Sequence, residues 1–321
     1  MRNCLRISIE RRLIAYVLCL FASSLTLAFS ALADDDFPAE LTQFVPYEKN
    51  PIFVAEGEGH WDIKIRERGW ILREGSEWKM WYTGYDGTRP GQKKLGYATS
   101  KDGLIWNRDS QNPIYQDHWV EDVCVVPYNG LYYMFAEGKN DRAQLFTSRD
   151  GLAWHRVGHL DIRLTSGDPI PDGPYGTPTA WFEDGRWNLF YERGDKGVWL
   201  ARSIDAQIFT NVHDEPVLKP GPDAYDQDLI AMNQIIRHHD RYYAVYHGAK
   251  KSEDPQKPNL WSTGLAVSTN LTHWKKYAGN PLRPVEENKS SGLLIHDGKQ
   301  FRLYTMHDQV DVYQHVDKKA P

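Results

Sequence analysis

Hydrophobic and polar residues alternate with period two in short runs along most of the chain, a pattern typical of β-strands rather than helices. Residues 79–83 and 132–136 are clear examples, with aromatic and aliphatic side chains of the kind found in strands packed between two neighbours. Asp-Gly pairs such as Asp102-Gly103 and Asp150-Gly151 follow the strands and favour tight turns, so these aspartates are interpreted as structural. The pattern predicts an all-β chain.

The predicted strand pairs form a repeat. In four copies a serine precedes a large aromatic residue by six positions: Ser100 and Trp106, Ser148 and Trp154, Ser203 and Phe209, Ser268 and Trp274. A fifth, partial copy covers residues 299–308. The serines are 48, 55 and 65 residues apart. These periods, with alternating strands and Gly/Asp turns, favour four-stranded propeller blades over helical solenoid units.

A triplet with proline at its centre closes the repeats, at residues 112–114, 215–217 and 280–282. A further copy at residues 50–52 precedes the first repeat. We therefore expect residues 50–54 to form the outer strand of the last blade, which would close the ring and remove the free sheet edges. The prediction is a five-bladed β-propeller closed by an N-terminal strand.

The first 33 residues have the pattern of a secretory signal. Four arginines precede an apolar run at residues 13–30, and Ala31-Leu32-Ala33 is a small-x-small cleavage site. We expect a mature N-terminus at Asp34, a secreted or periplasmic location, and a single propeller domain over residues 34–321. An uncleaved membrane anchor is the alternative, although the run is short for a spanning helix and contains Ser and Thr.

Charge and cysteine content narrow the function classes. The formal net charge is −5, and it becomes −8 without residues 1–33, because four arginines and one glutamate are lost. That balance argues against nucleic acid or an anionic membrane surface as a partner. Of the three cysteines only Cys124 lies beyond residue 33, so an intramolecular disulfide is excluded in the mature chain. The oligomeric state stays open.

The strands that open the repeats differ from one another in sequence, and this variation indicates that they carry the functional site. The second strand of each blade is antiparallel to the first, so its far end returns to the same face of the propeller. That face is expected to collect Asp62, Glu67, Arg68, Glu121, Asp122, Glu137, Glu192, Arg193, Asn233, His247 and His307. Trp61, Trp119 and Tyr175 are predicted sugar-stacking platforms at the mouth. Carboxylates and histidines around a funnel suit acid/base chemistry on a sugar.

The repeats have the form Y-Y-x-x-Y followed by G-x-A-x-S-x-D-G-x-x-W, with closing N-P-I triplets. Over residues 44–315 they resemble the five-bladed propeller glycoside hydrolases of families 43, 32, 117 and 130. The resemblance implies that Asp62 is the base or nucleophile, that Asp122 orients the acid and tunes its pKa, and that His247 approaches the channel. Gly176 stands where families 43 and 32 carry the catalytic glutamate. Glu192 is therefore the predicted acid.

Arg193, the neighbour of Glu192, is expected to stabilise negative charge beside that glutamate. Glu137 and His307 are the other candidates for the acid. The sequence thus predicts a secreted glycoside hydrolase, with inversion expected because Glu192 starts one strand further from the axis than the missing glutamate. No cofactor or metal site is predicted, although a structural cation in the central channel is possible. The rivals are a glycoside phosphorylase that clamps phosphate with Arg68, Arg193 and His247, and a non-catalytic carbohydrate-binding propeller.

Overall fold

The computed structural model describes residues 36–316, and in this range the chain forms five antiparallel sheets arranged as propeller blades. The prediction of an all-β, five-bladed β-propeller is confirmed. One short helix, α1 (Ala39–Thr42), precedes the first strand. The predicted signal segment and cleavage site lie outside the described residues. No helix within residues 36–316 is long and apolar enough to cross a membrane.

The strands of each blade run in chain order from the inner to the outer position, apart from the first and tenth strands of the chain. Blade I contains β2 (Lys64–Glu74), β3 (Glu77–Tyr85), β4 (Lys94–Ser100) and β5 (Trp106–Arg108), and blade II contains β6 (Glu121–Tyr128), β7 (Leu131–Gly138), β8 (Arg142–Ser148) and β9 (His155–His159). Blade III contains β11 (Gly176–Glu183), β12 (Arg186–Glu192), β13 (Val198–Ser203) and β14 (Ile208–Asn211), with β10 (Asp161–Arg163) parallel to β14. Blade IV contains β15 (Leu229–His238), β16 (Arg241–Lys250), β17 (Leu260–Ser268) and β18 (Lys275–Lys276), and blade V contains β19 (Gly292–His296), β20 (Phe301–Thr305), β21 (Asp311–His315) and β1 (Phe44–Pro46).

The N-terminal segment closes the ring, as predicted, but a different part of it forms the strand. Strand β1 pairs antiparallel with β21 as the outer strand of blade V. Residues 50–54, the predicted outer strand, contribute only an isolated bridge between Phe53 and Val310. Asn50 uses its side-chain amide for both backbone groups of Val312, at 2.8 and 2.9 Å. Because a side chain makes these bonds, a regular ladder does not form there.

The same arrangement explains two of the other proline triplets. Asn112 bonds the backbone N–H and C=O of Tyr97 through its side-chain amide, and Asn280 does the same with Leu265. In each case the asparagine satisfies a backbone pair on the third strand of its blade, where a fourth-strand residue would otherwise be needed. The triplets therefore terminate blades structurally.

The Ser-x-Asp element of blades I to III is a turn, in agreement with the structural interpretation, and in blade IV Asn270 takes the place of the aspartate. Ser100 accepts the Gly103 amide at 2.9 Å, and Asp102 accepts two further amides of the turn. Asp150 and Asp205 repeat these bonds in blades II and III. Aromatic side chains fill the spaces between blades, so the core follows the whole ring and holds the inner strands in fixed positions.

Candidate active site

The innermost strands of blades I to IV bulge at equivalent positions, and the bulges place side chains in the central channel. The register shifts between residues 66 and 70, 121 and 124, 176 and 179, and 232 and 234. Glu67, Asp122 and Thr177 lie in the first three bulges with φ values of 56°, 48° and 43°. A left-handed conformation is costly for such residues, and strain of this kind is concentrated at functional sites. The innermost strand therefore bends at the same place in blades I, II and III.

The bulges surround a cavity of about 200 Å³ near the axis of the ring. All five blades or the loops that follow their strands contribute to its lining: Arg66, Glu67, Asp122, Glu137, Asp141, Thr177, Glu192, Gly194, Asp195, His247, Trp261, Ser290 and His307. Carboxyl groups dominate this set, and among the described lining residues Arg66 is the single guanidinium. The cavity is therefore suited to proton transfer and poorly suited to anions.

Asp122 is a buried carboxyl group with little to stabilise its charge. Its side chain accepts one long bond, 3.3 Å, from the Arg68 backbone amide. Burial and the nearby Glu67 carboxylate raise the pKa of Asp122 well above its usual range, against the opposing charge of Arg68. Asp122 therefore holds its proton more readily than an ordinary aspartic acid.

Glu137 and Glu192 converge on the backbone of Gly176. A Cβ at position 176 would lie 2.3 Å from Oε2 of Glu137 and 2.7 Å from Oε1 of Glu192. Glu137 accepts the Thr177 amide at 2.8 Å, and Glu192 accepts the amides of Gly176, at 3.1 Å, and Asp195. The glycine that removes the expected catalytic glutamate thus makes room for two others, which come from the ends of β7 and β12.

The pKa values of both glutamates are raised, by different balances of causes. Burial, and then the charge of Asp122, raise the pKa of Glu137 well above its usual range. Burial also raises the pKa of Glu192, but its bonds to two backbone amides oppose that shift by stabilising the ionised form. Burial and the neighbouring Glu192 raise the pKa of Asp195 from 3.8 to about 7. Burial thus favours the protonated form of all three carboxyl groups.

Blades IV and V close the cavity with histidines and an indole. Nδ1 of His247 lies 2.7 Å from the amide oxygen of the fully buried Asn233, which leaves Nε2 as the free acceptor of a neutral ring. Burial, with the charge of Arg68, lowers the pKa of His247 to about 3. Trp261 packs edge-on against this imidazole at 5.0 Å. On the other side Nδ1 of His307 lies 3.7 Å from Oε2 of Glu67.

Arg68 was predicted to bind substrate, but both terminal nitrogens of its guanidinium already donate hydrogen bonds within the protein. The side chain is fully buried and donates to the carbonyls of Asp122, Pro178 and Asn233 at 2.6 to 2.7 Å, and also to Met232. It therefore joins blade I to blades II, III and IV beneath the cavity. Because its guanidinium occupies the converging carbonyls, it cannot serve as a phosphate clamp.

Glu121 and Arg66 form the wall beside Asp122. Oε1 of Glu121 accepts the Trp119 indole N–H at 2.6 Å, and its other oxygen lies 3.0 Å from Nε of Arg66. Arg66 also pairs with Glu67. Glu121 is buried behind the cavity and does not line it, so the predicted binding role of Glu121 becomes one of holding Arg66.

Three other predicted residues, Asp62, Trp61 and Tyr175, also lie outside the cavity. Asp62, the predicted base or nucleophile, is fully buried at the outer side of blade I, 3.5 Å from Nη2 of Arg108, and its carboxyl oxygens have no hydrogen-bond partner. Trp61 beside it packs on a tyrosine ring at 5.7 Å. Tyr175 is buried and lies under the guanidinium of Arg142. These positions do not fit the predicted roles, because none of the three residues lines the cavity in which the other carboxyl groups meet.

Arg193, the expected partner of Glu192, donates instead to the carbonyls of Pro171 and Asp172 at 2.7 and 3.3 Å and does not line the cavity. Trp119 is half-buried and lines a separate, neighbouring pocket. Of the predicted residues, the structure therefore brings together Glu67, Asp122, Glu137, Glu192, His247 and His307, with Asn233 and Arg68 directly behind them.

The prediction missed several lining residues: Arg66, Asp141, Thr177, Ser290, Asp195 and Trp261. One signal was available for the inner strands, because Glu67, Asp122 and Thr177 follow one another at intervals of 55 residues. Asp195 lies in the loop after β12 and Trp261 lies at the start of β17, and neither position carries a repeat signal.

The fold is a five-bladed β-propeller with a carboxylate-lined axial cavity, and the comparisons with solved structures show the same fold. No protein-family model matches the sequence. A glycosyl hydrolase from Bacteroides ovatus has a TM-score of 0.70 at 19% identity, over 87% of this chain and 95% of that one. A second structure, described with the finding that family 130 mannoside phosphorylases include hydrolases of β-1,2-mannosidic linkages in Candida mannan, has a TM-score of 0.68 at 16% identity, over 87% and 95%.

A characterised relative is the 1,2-β-oligomannan phosphorylase of Thermoanaerobacter sp. (strain X514). It is 28% identical over 210 residues, which cover 60% of this chain and 64% of the relative. The matched segments span from 46% to 64% of the curated relatives' lengths. The resemblance to five-bladed propeller glycosidases and phosphorylases is thereby confirmed in the fold.

Proposed function

We propose that the protein is an enzyme that cleaves glycosidic bonds by hydrolysis, with Asp122 as the general acid and Glu192 as the general base. The observation that carries the proposal is the pairing of carboxyl groups in different environments within one cavity. Glycoside hydrolysis needs one carboxylic acid to protonate the leaving oxygen and one carboxylate to activate water. The two roles require pKa values that differ.

The hydrogen bonds support roles that differ from the sequence prediction, in which Asp62 was the base or nucleophile, Asp122 oriented the acid and Glu192 was the acid. Asp122 has a single long amide bond and lies near Glu67, so its neutral, proton-donating form is favoured. Glu192 accepts two backbone amides, which favour its charged form and hold it in place as a base. Glu137 accepts the Thr177 amide on the other side of Gly176, so it lies at the same end of the cavity as Glu192.

Inversion is the expected stereochemical outcome, since the proposed base activates water instead of attacking the sugar itself. Inverting enzymes hold the two carboxyl groups about 6.5 to 9.5 Å apart to leave room for that water. Proton NMR of the first product formed would show the anomeric configuration directly. A first product with retained configuration would contradict direct attack by water.

Phosphorolysis is the second candidate, supported by the relative from Thermoanaerobacter. A phosphate dianion would have to enter beside Glu137, Glu192 and Asp195, where burial and then the Glu192 carboxylate already raise the pKa of Asp195. Arg66 is the cation available there, and it is paired with Glu67 and Glu121. This crowding of negative charge favours water over phosphate as the nucleophile.

The decisive assay uses β-1,2-linked mannosides first, because the named relatives act on them, followed by a panel of aryl glycosides. Each substrate is incubated with and without inorganic phosphate. Free sugar at an equal rate in both supports hydrolysis, whereas sugar 1-phosphate formed only with phosphate would establish the second candidate. Saturable sugar binding without turnover on any substrate would support the non-catalytic alternative.

Leaving-group dependence tests the assignment of roles. Asp122→Asn should lower kcat/KM by about 10²- to 10⁴-fold on an unactivated glycoside and much less on a dinitrophenyl glycoside, which needs no proton. Glu192→Gln should lower both rates alike. The reverse pattern would make Glu192 the acid, as predicted from the sequence.

We also propose that the protein is exported and acts without a dissociable cofactor, with a carbohydrate as its partner. The guanidinium of Arg68 meets the converging carbonyls where a channel cation could otherwise bind. Activity should therefore survive dialysis against EDTA. Sequencing of the protein recovered outside the cytoplasm should begin at Asp34, and an intact residue 1 in the membrane fraction would contradict export by cleavage.

A further inference from the structure

A second pocket of about 250 Å³ lies beside the carboxylate cavity and has the opposite charge. Its cationic and aromatic lining residues come from the start of β6 and from blade II: His118, Trp119, Lys139, Arg142, Arg156 and His159. None of the described residues that line it is acidic. The pocket therefore attracts negative charge, which the neighbouring cavity repels.

The chain itself places the two sites side by side. Trp119 lines the pocket, while Asp122, three residues later, lines the cavity. On the facing hairpin, Arg142 lines the pocket and its neighbour Asp141 lines the cavity. The Trp119 indole N–H also bonds Glu121, so the wall between the sites is built from one short segment.

The arginines are positioned for binding. Gln144 is buried and donates to the Trp119 carbonyl at 2.6 Å, while its oxygen accepts Nε of Arg156 at 2.7 Å. Gly138 leaves the space that this amide needs, since a Cβ there would lie 2.9 Å from it. Arg156 is thus held by Nε, and its terminal nitrogens are left for a ligand, in the fork geometry that suits carboxylate or sulfate.

Arg142 rests on the Tyr175 ring, with its guanidinium carbon 5.5 Å from the ring centre. Its nearest carboxylate, Asp172, is 3.9 Å away and fully exposed, so this pair is weak. Burial lowers the pKa of the His159 imidazole, and the positive charges of Arg156 and Arg142 lower it further, as expected where cations share one space.

We propose that this pocket binds an anionic group, a carboxylate or a sulfate ester, carried by the part of the substrate next to the bond that is cleaved. The inference rests on the proposed function for the identity of the ligand as a sugar. The sugar ring in the carboxylate cavity would be neutral, and an adjacent unit would bear the charge. The enzyme would then select acidic oligosaccharides and orient them by the contrast between the two sites.

Three probes that differ only at C6 test the proposal by equilibrium binding to the purified protein: glucose, glucuronate and glucose 6-sulfate. At least one of the anions should bind at least about tenfold more tightly than glucose, and the affinity should fall as salt is raised. Glucuronate alone would identify a uronate, and glucose 6-sulfate alone a sulfate ester. Equal binding of all three probes would overturn the proposal.

Arg142→Gln and Arg156→Gln should each weaken anion binding by about tenfold, as expected for one charge-assisted hydrogen bond. Lys139→Gln is a second probe, because Lys139 is exposed and its removal does not disturb packing. Arg149→Gln and Arg186→Gln remove exposed cations elsewhere and should have no effect. Anion binding that is unchanged in all three pocket variants would refute the site.

The two proposals fail separately. Hydrolysis of neutral glycosides with no preference for the anionic probes would refute the pocket and leave the proposed function intact. Loss of anion binding in the pocket variants, in a protein that hydrolyses no glycoside, would support the pocket and refute the hydrolase.

Discussion

Gly176→Ala offers a direct test of the site, because one methyl group would disturb both glutamates at once. The new Cβ would lie 2.3 Å from Oε2 of Glu137 and 2.7 Å from Oε1 of Glu192, where ordinary contact begins at 3.4 Å. The Glu137 carboxyl would have to move by about 1 Å to relieve the contact. That movement would break its 2.8 Å bond to the Thr177 amide.

Two quantities should change. Overpacking of this kind lowers the free energy of unfolding by about 1 to 3 kcal/mol. A displacement of about 1 Å in a catalytic group typically lowers turnover by about 10²-fold. Unfolding in urea would give the first quantity, and kcat/KM on the best glycoside found would give the second.

Gly185→Ala is the matched control, because Gly185 lies in the turn at the other end of the same strand pair. A Cβ there would meet no atom within 4 Å, but φ is +73°, so the substitution strains the backbone. It should cost about 1 to 2 kcal/mol of stability and leave turnover unchanged. The comparison separates loss of stability from loss of the site.

Glu137→Ala provides the companion measurement. If the clash is the cause, Gly176→Ala should cost clearly less stability in the Glu137→Ala background than in the wild type, which a double-mutant cycle measures. Gly176→Ala with wild-type stability and turnover would refute the described geometry. Normal turnover together with reduced stability would instead remove Glu137 and Glu192 from catalysis.

Three further predictions follow from buried charges. Asp195→Asn should stabilise the protein at pH 8 and not at pH 3, because a pKa raised from 3.8 to about 7 makes the wild type lose stability as pH rises between these values; urea unfolding at a series of pH values would show parallel curves if this were wrong. Arg68→Met should lower the free energy of unfolding by more than about 3 kcal/mol, since several carbonyls lose their donor, and a loss within error of zero would contradict its role as a hub. Asp62→Asn should retain kcat/KM, because Asp62 lies beside Arg108 and outside the cavity; a loss of 10²-fold or more would return it to the mechanism.

The fold could be predicted because its signals are local and repeated. Strand alternation, the Ser-x-Asp turn and the closing triplets recur in successive blades, so that each copy supports the interpretation of the others. The position of the closing strand was the error. Asn50 uses a side chain where the sequence pattern implied a backbone ladder, and no pattern of hydrophobic positions records that difference.

The site was predicted best where a side chain stands at the end of a second strand. Glu137, Glu192 and His247 follow from the antiparallel return of β7, β12 and β16 to the face where the inner strands begin. The first blade was predicted worst, because the bulge at Glu67 breaks the alternation that assigns side chains to faces. Asp62 was assigned by its resemblance to a first-blade aspartate, whereas Arg66 and Glu67, at the bulge of β2, are the residues of that blade that line the cavity.

Gly176 shows why the proposed catalytic carboxyl groups could not be identified from sequence alone. In the linear pattern this glycine indicates the loss of an acid, and the loss made a non-catalytic sugar-binding protein a reasonable rival. In three dimensions, the missing side chain leaves a space that is filled from two directions, by Glu137 of the preceding blade and Glu192 of the same blade. Carboxyl groups are therefore present at this point of the cavity, although they belong to other positions of the chain than the expected one. The place of a carboxyl group in the cavity therefore cannot be read from its place in the sequence, because it depends on which blades are neighbours in the ring.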